Sequence, residues 1–474
     1  MTTVRAYPWA WSTAALAMSL ALGLSWCIAR SPLTLYDGLG PILDSVRAES
    51  VADVFEGAWH SAGYWRPVRL TQIKLVVDAS SADPTLAFKA IHVGLTLATF
   101  LVFAAWLRPR SMPEFTAAAI ALMILAGHHS FFVLFSEAYP VNHFLEIVAL
   151  TLTIALMARG EPRWWKDVLA PVILVVGALT LESGMLIGVA AVACWMIGWR
   201  GISGRGVAAM AILLAAYFWV RFGLLDIPSP NLDERASGWW LSRLEAHELA
   251  ERFAAHPLPF YAYNVMAALV GVLFSEPRGG SFSVVRHVLD ADVHPWMLIH
   301  VASSAIVTSA MLMALVPALA RWRRGALDER DRFVLLAFAL VGANSVLSFG
   351  YVKDEVLSVG VAFYAGGAFA VLAGLGDRVR ERRNAHVVAA LALVCASVLW
   401  STRAAGTLVS LQSSAYKVAN DWALYSLERE LPADWGFEPT RRAFLSLRQR
   451  NLSLDVPHPT FTKQRRVEPY LEVQ

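Results

Sequence analysis

The chain alternates long apolar blocks with short polar links, and most blocks run about 17–25 residues, the length that spans a hydrocarbon core. Nothing else in the sequence restricts the fold as much. The 474 residues are 57% hydrophobic and only 16% charged, with a mean hydropathy of +0.50. A water-soluble domain of this length carries more charge, and a membrane β-barrel shows short alternating segments instead. The expected fold class is therefore an all-α polytopic membrane protein. The formal net charge is only +3. The basic residues gather in short links between apolar blocks, a pattern that sets topology and gives no support to nucleic-acid binding.

Taken in order, the spans are expected at 9–29, 85–107, 114–127, 141–158, 168–180, 183–198, 207–225, 296–320, 333–352, 355–375 and 385–401. Arg5 and the apolar run after it resemble a signal sequence. The run continues to Ile28 without a clear small-x-small cleavage site, so it reads as a retained first span. The apolar stretch 258–275 is a twelfth block. If it crossed, Arg321-Trp322-Arg323-Arg324 would face the wrong side. It is therefore expected to lie in the interface. The result is a transmembrane module of eleven crossings over 1–401. It has a first outer loop at 30–74, a second at 226–257 and the interfacial helix 258–275. An extracytoplasmic tail follows at 402–474.

On this topology the acidic loops share one face: 30–74, 128–140, the turn at Glu182, 226–257 and Lys353-Asp354-Glu355. The basic links lie on the other. The expected location is a cell membrane, with the site facing out. The three cysteines, Cys27, Cys194 and Cys395, are isolated within apolar blocks, which disfavours a disulfide framework or a zinc site.

Several residues have the chemistry for a site at that face. Asp37 follows the first span by a few residues, where desolvation tunes a carboxylate toward general-base work; Asp37-Gly38 is also a common turn pair. Arg66, Arg69 and Lys74 precede re-entry into the membrane, at the depth of a lipid phosphate. Snorkelling side chains anchor helices there too. Lys353 is a similar cation on a later turn, with a surface ion pair as its plainer role. Glu137 and Glu182 stand at helix ends inside apolar sequence, where ionisable groups are expensive. His143 and Glu146 share one helix face. Together with His128 and His129 they make no adequate metal motif, so no metal site is assigned. His92 and Asn142 read as hydrogen-bonding residues of the bundle. Trp239-Trp240 reads as part of an aromatic belt. No phosphate-binding loop, hydrolase elbow or dinucleotide fingerprint occurs in a supporting context.

Four stretches taken together resemble the GT-C integral-membrane glycosyltransferases. They are most similar to bacterial relatives of the protein O-mannosyltransferases and of the lipid A aminoarabinose transferase. The stretches are Tyr36-Asp37-Gly38 after the first span, Tyr64-Trp65-Arg66-Pro67 at the end of the first loop, Leu179-Thr180-Leu181-Glu182 between two middle spans, and Lys353-Asp354-Glu355-Val356-Leu357-Ser358-Val359-Gly360 on a late turn. Their order and spacing cover about residues 1–400. The chain departs from the family in three places, one of them the altered acid-bearing segment after the third span, around Glu137-Ala138-Tyr139-Pro140. Gly38 stands where a second acid is usual, and Leu181 stands where a lysine precedes the glutamate.

The resemblance implies a sugar donor carried on polyprenyl phosphate, an acceptor glycan, lipid or protein, and a bilayer of the bacterial inner-membrane type as partner. It implies no cofactor, and it leaves a metal ion open. Asp37 would take the proton from the acceptor hydroxyl in an inverting transfer. Arg66, Arg69 and Lys353 would hold the donor phosphate. Tyr64, Glu137, His143 and Glu182 would support the substrate. Gly38 keeps a rival open, a GT-C-like assembly protein without activity. A transporter or flippase for a lipid or small solute is the other rival, and midplane charges on broken helices would favour it.

Overall fold

The computed structural model describes residues 8–61, 64–80, 84–136, 141–227, 232, 236–276, 280–381, 386–424 and 438–456. The side chains of Tyr36, Asp37, Glu438 and Pro439 fall outside that description. The helices are α1 (Pro8–Arg30), α2 (Tyr36–Arg47), α3 (Val51–Trp59), α4 (Pro67–Ala79), α5 (Pro84–Leu107), α6 (Met112–Gly127), α7 (His129–Ser136), α8 (His143–Arg159), α9 (Trp164–Thr180), α10 (Met185–Met196), α11 (Gly204–Phe218), α12 (Ala246–Phe253), α13 (Leu258–Phe274), α14 (Ser283–Leu289), α15 (Pro295–Arg323), α16 (Glu329–Leu347), α17 (Ser358–Arg380), α18 (His386–Leu424) and α19 (Glu438–Leu452). One small antiparallel hairpin, β1 (Ser237–Trp239) with β2 (Ser242–Leu244), interrupts them.

Six of these segments are long and apolar enough to cross a membrane: Pro8–Arg30, Pro84–Leu107, Gly204–Leu224, Pro295–Arg323, Glu355–Arg380 and His386–Leu424. The pair α6 and α7 makes a seventh if its 56° bend belongs to one span. The chain is thus an all-α, multi-pass membrane protein by length and composition. The eleven expected crossings exceed this number. Helices α8 and α9 have only 17 residues each, and α10 is a 12-residue helix after a tight turn. Helix α16 opens on Glu329, Arg330, Asp331 and Arg332, which shortens its apolar part.

Local chemistry accounts for the helix ends. Asp328 and Asp331 form a reciprocal capping box at the start of α16, and Ser50 with Asp53 does the same for α3. Ser111 caps α6, with Pro113 in its first turn. Arg321, in the last turn of α15, grips Asp331 through Nε at 2.5 Å and also through Nη2.

Helix α17 is the axis of the bundle. It packs against α6, α15, α16 and α18, and its side chains from Ser358 to Ala370 are all buried. Small residues make that possible, because they let backbones approach closely. A Cβ at Gly366 would run into the Trp106 ring. That ring sits 4.7 Å from Phe333 and 5.3 Å from Phe363. Outward-facing Trp26, Leu22, Ile212, Trp219, Val387, Val388 and Leu391 make an apolar perimeter suited to lipid.

The first loop, 30–74, is folded into α2, α3 and the start of α4. A second small core, which includes Leu33, Leu35, Leu39, Ile73, Phe88, Trp422, Phe444 and Leu447, ties it to α18 and α19. Helix α18 continues well past residue 401 to Leu424, so the first part of the expected tail is helical and part of this core. Asn451 accepts the Leu33 N–H at 2.9 Å, and the Trp422 indole donates to the Leu33 carbonyl at 2.6 Å. The two side chains satisfy both backbone groups of Leu33, four residues before Asp37. Asn451→Ala orphans a buried N–H and should cost about 1–3 kcal/mol. Thermal unfolding of the purified chain measures this; an unchanged midpoint would contradict the clamp.

Candidate functional site

Arg66 is the residue just before α4, with Pro67 in the first helical position. Its fork lies on Glu182: Nε to Oε2 is 2.9 Å and Nη2 to Oε2 is 2.5 Å. Its guanidinium also sits 4.2 Å from the centre of the Tyr64 ring. Between them in sequence, buried Trp65 packs on Trp59 at 4.8 Å and on Tyr217 at 5.0 Å. The Tyr64-Trp65-Arg66-Pro67 stretch is therefore anchored by its tryptophan, with tyrosine and arginine stacked beside it.

Glu182 opens a single 3-10 turn, Glu182–Gly184, between α9 and α10. That turn lies tight against the end of α9. A Cβ at Gly184 would overlap the Gly177 carbonyl. A second arginine also reaches the carboxylate. Arg221 Nη1 lies 3.5 Å from Glu182 Oε1 and donates to Tyr217 Oη at 3.0 Å. Arg221 comes from a π-helical turn, Trp219–Leu224, which continues α11. Such turns are over-represented at functional sites. Burial pushes the Glu182 carboxyl up, but the charge and hydrogen bonds of Arg66, with Arg221, hold it below the usual carboxylate range. The ion pair therefore contributes fully at neutral pH. Its contribution is lost only as pH falls through that lowered value.

These groups stand at the polar end of a cavity of about 250 Å³. Phe144, Leu181, Met185, Phe218, Phe222, Leu249, Phe260, Leu347 and Phe349 make its apolar walls, and Tyr64, Arg66, Glu182, Arg221 and Tyr351 its polar lining. Two guanidiniums face one carboxylate, so the polar end has a surplus of one positive charge. Among the described residues, Arg221 Nε has no hydrogen-bond partner. The arrangement suits an amphiphile with an apolar chain and one anionic group.

The expected site residues divide as follows. Arg66 touches both Tyr64 and Glu182, and all three line the cavity. His143 is buried one residue from cavity-lining Phe144. Its Nδ1 is 3.3 Å from Glu146, which Gln72 also contacts at 2.9 Å. Arg69 lies one turn along α4 from Arg66. Lys353 does not line the cavity and pairs with Glu355 at 3.0 Å. Its turn neighbours Tyr351 and Val356 do line it. Lys74 is used structurally, on the Ala48 carbonyl and on Asp78. Trp239 is packed among Phe253, Phe260 and Tyr263. Glu137 and the Asp37 side chain lie outside the described residues. Among the described residues no group of three or more His, Cys, Asp or Glu is placed to hold a metal ion.

Arg221 is the residue that sequence reasoning missed. A signal was present: it is the only charged residue in the apolar run 207–225, and an ionisable group inside a span is a candidate by default.

Compared with family models, curated protein sequences and solved structures, the chain matches none.

Proposed function

We propose that the chain is a membrane glycosyltransferase that moves a sugar from a polyprenyl-phosphate donor to an acceptor hydroxyl. The site would face outward from a bacterial inner membrane. One observation carries the proposal: the Tyr64–Arg66 stretch, the Leu181–Glu182 turn and the neighbourhood of Lys353 border a single apolar cavity. These three stretches are distant in sequence, and they are three of the four that resemble the GT-C enzymes.

In this reading the polyprenyl tail lies along the Phe218, Phe222, Leu249 and Phe260 walls, and the phosphate meets Arg66 and Arg221. The acceptor hydroxyl attacks the anomeric carbon and gives its proton to Asp37. The anomeric carbon–oxygen bond breaks, and the electron pair leaves on the phosphate. The guanidiniums stabilise that growing charge within apolar walls, where the effect is strongest. Glu182 keeps the guanidiniums paired and oriented before the donor arrives.

Binding of the donor head is tested on purified chain in nanodiscs, by native mass spectrometry with polyprenyl monophosphate. The lipid should stay bound to the wild type and be lost at least tenfold more readily from Arg221→Met. Equal retention by both would remove Arg221 from the phosphate site.

A further inference from the structure

Arg403 lies within α18 and is only 4% exposed. Its hydrogen bonds go to neutral oxygens: the Gly127 carbonyl at 3.2 Å, the His300 carbonyl at 3.4 Å, and the hydroxyls of Ser275, Ser303 and Ser304 at 3.0, 2.9 and 3.1 Å. The guanidinium stacks on Trp400 at 4.0 Å. Among the described residues no carboxylate lies within ion-pair distance of it. The neighbouring acids are engaged elsewhere. Glu276 takes the backbone and hydroxyl of Ser283, and Asp354 faces His129 at 3.4 Å. A charge buried in a bundle without a counter-charge is strongly unfavourable.

A second observation points the same way. Among the described residues, two buried polar atoms here have no hydrogen-bond partner: Nη2 of Arg403 itself and Nδ1 of His300, whose carbonyl accepts from Arg403. Buried polar groups are nearly always satisfied, so two orphans here call for an explanation. One is a guanidinium donor and the other an imidazole nitrogen able to donate. The surroundings are tight. A Cβ at Gly127 would come within 2.8 Å of the Ala404 nitrogen and 3.0 Å of the Arg403 Cβ, so α6 and α18 meet closely beside this residue.

We propose that Arg403, with His300, forms a buried site for a small monovalent anion of the halide class. The ion would neutralise Arg403 and accept from the unpartnered donors. It would join α18 and α15. The site is separate from the Arg66–Glu182 cavity and does not depend on the reaction proposed there.

The test is thermal unfolding of the full purified chain in detergent. Sodium gluconate is replaced stepwise by sodium chloride at constant ionic strength, with bromide as a second probe. A ligand that binds only the folded state raises the midpoint in a saturable way. The expected result is such a rise in the wild type with both halides, and none in Arg403→Met. His300→Phe should fold and need several-fold more chloride for the same rise. A wild type with equal midpoints in gluconate and chloride overturns the proposal. So does a chloride response that survives Arg403→Met. Should Arg403→Met fail to fold, an unchanged chloride midpoint in His300→Phe overturns the placement of the ion.

Discussion

Arg66→Ala is expected to cut sugar transfer by about 10²–10³-fold, the usual effect of removing one stabiliser of developing negative charge. The structural consequence is separate and also large. Glu182 Oε2 accepts both of its hydrogen bonds from Arg66, and among the described residues the remaining cation in ion-pair reach is Arg221, at 3.5 Å. A half-buried carboxylate losing its partner should cost roughly 2–3 kcal/mol. Arg66→Lys separates the two effects. It keeps a positive charge but lacks the planar fork that grips Glu182. Donor-dependent transfer and thermal unfolding, measured on both variants, give the comparison. Full transfer in Arg66→Ala would take Arg66 out of the reaction.

Gly184→Ala is expected to be the most damaging single methyl in the site. The added carbon overlaps the carbonyl carbon and oxygen of Gly177 and approaches the Ala178 nitrogen. All three are backbone atoms, so no rotamer change relieves the clash. The 3-10 turn must move away from α9, and Glu182 begins that turn. Overpacking of this kind costs about 3 kcal/mol, and the displaced carboxylate should release Arg66 and Arg221 together. Unfolding and lipid-phosphate retention should therefore fall in step. Gly94→Ala is the control, because a Cβ there meets nothing.

The apolar pattern made some elements legible almost to the residue. The expected spans at 9–29 and 85–107 are α1 and α5. Periods and lengths carried no information on how many short apolar helices cross. Helix α8 is covered by neighbours along most of its length, and burial inside protein imposes no minimum length; α9 is just as short but keeps an exposed apolar face at Val168, Leu169, Val172 and Val175. Residues 402–424 looked like tail because Ser, Gln and Lys lower their hydropathy. Ala, Leu, Gln and Lys still favour helix, and α18 runs on. In the site, Arg66 and Glu182 stood out as charges at the ends of apolar runs. Their direct pairing across 116 positions left no trace in local pattern. Arg221 was hidden by being counted within a span. Arg403 lay just past the expected end of the last one.

The central claim is most directly tested by transfer of labelled sugar from a polyprenyl-phosphate donor. Purified wild type is assayed beside Asp37→Asn, both checked for folding and lipid-phosphate binding. The account predicts donor-dependent transfer by the wild type and its loss in Asp37→Asn, with donor binding retained. Equal transfer by both proteins would contradict Asp37 as the base. Donor binding without transfer by the wild type, across acceptor glycans, lipids and proteins, would contradict the glycosyltransferase itself.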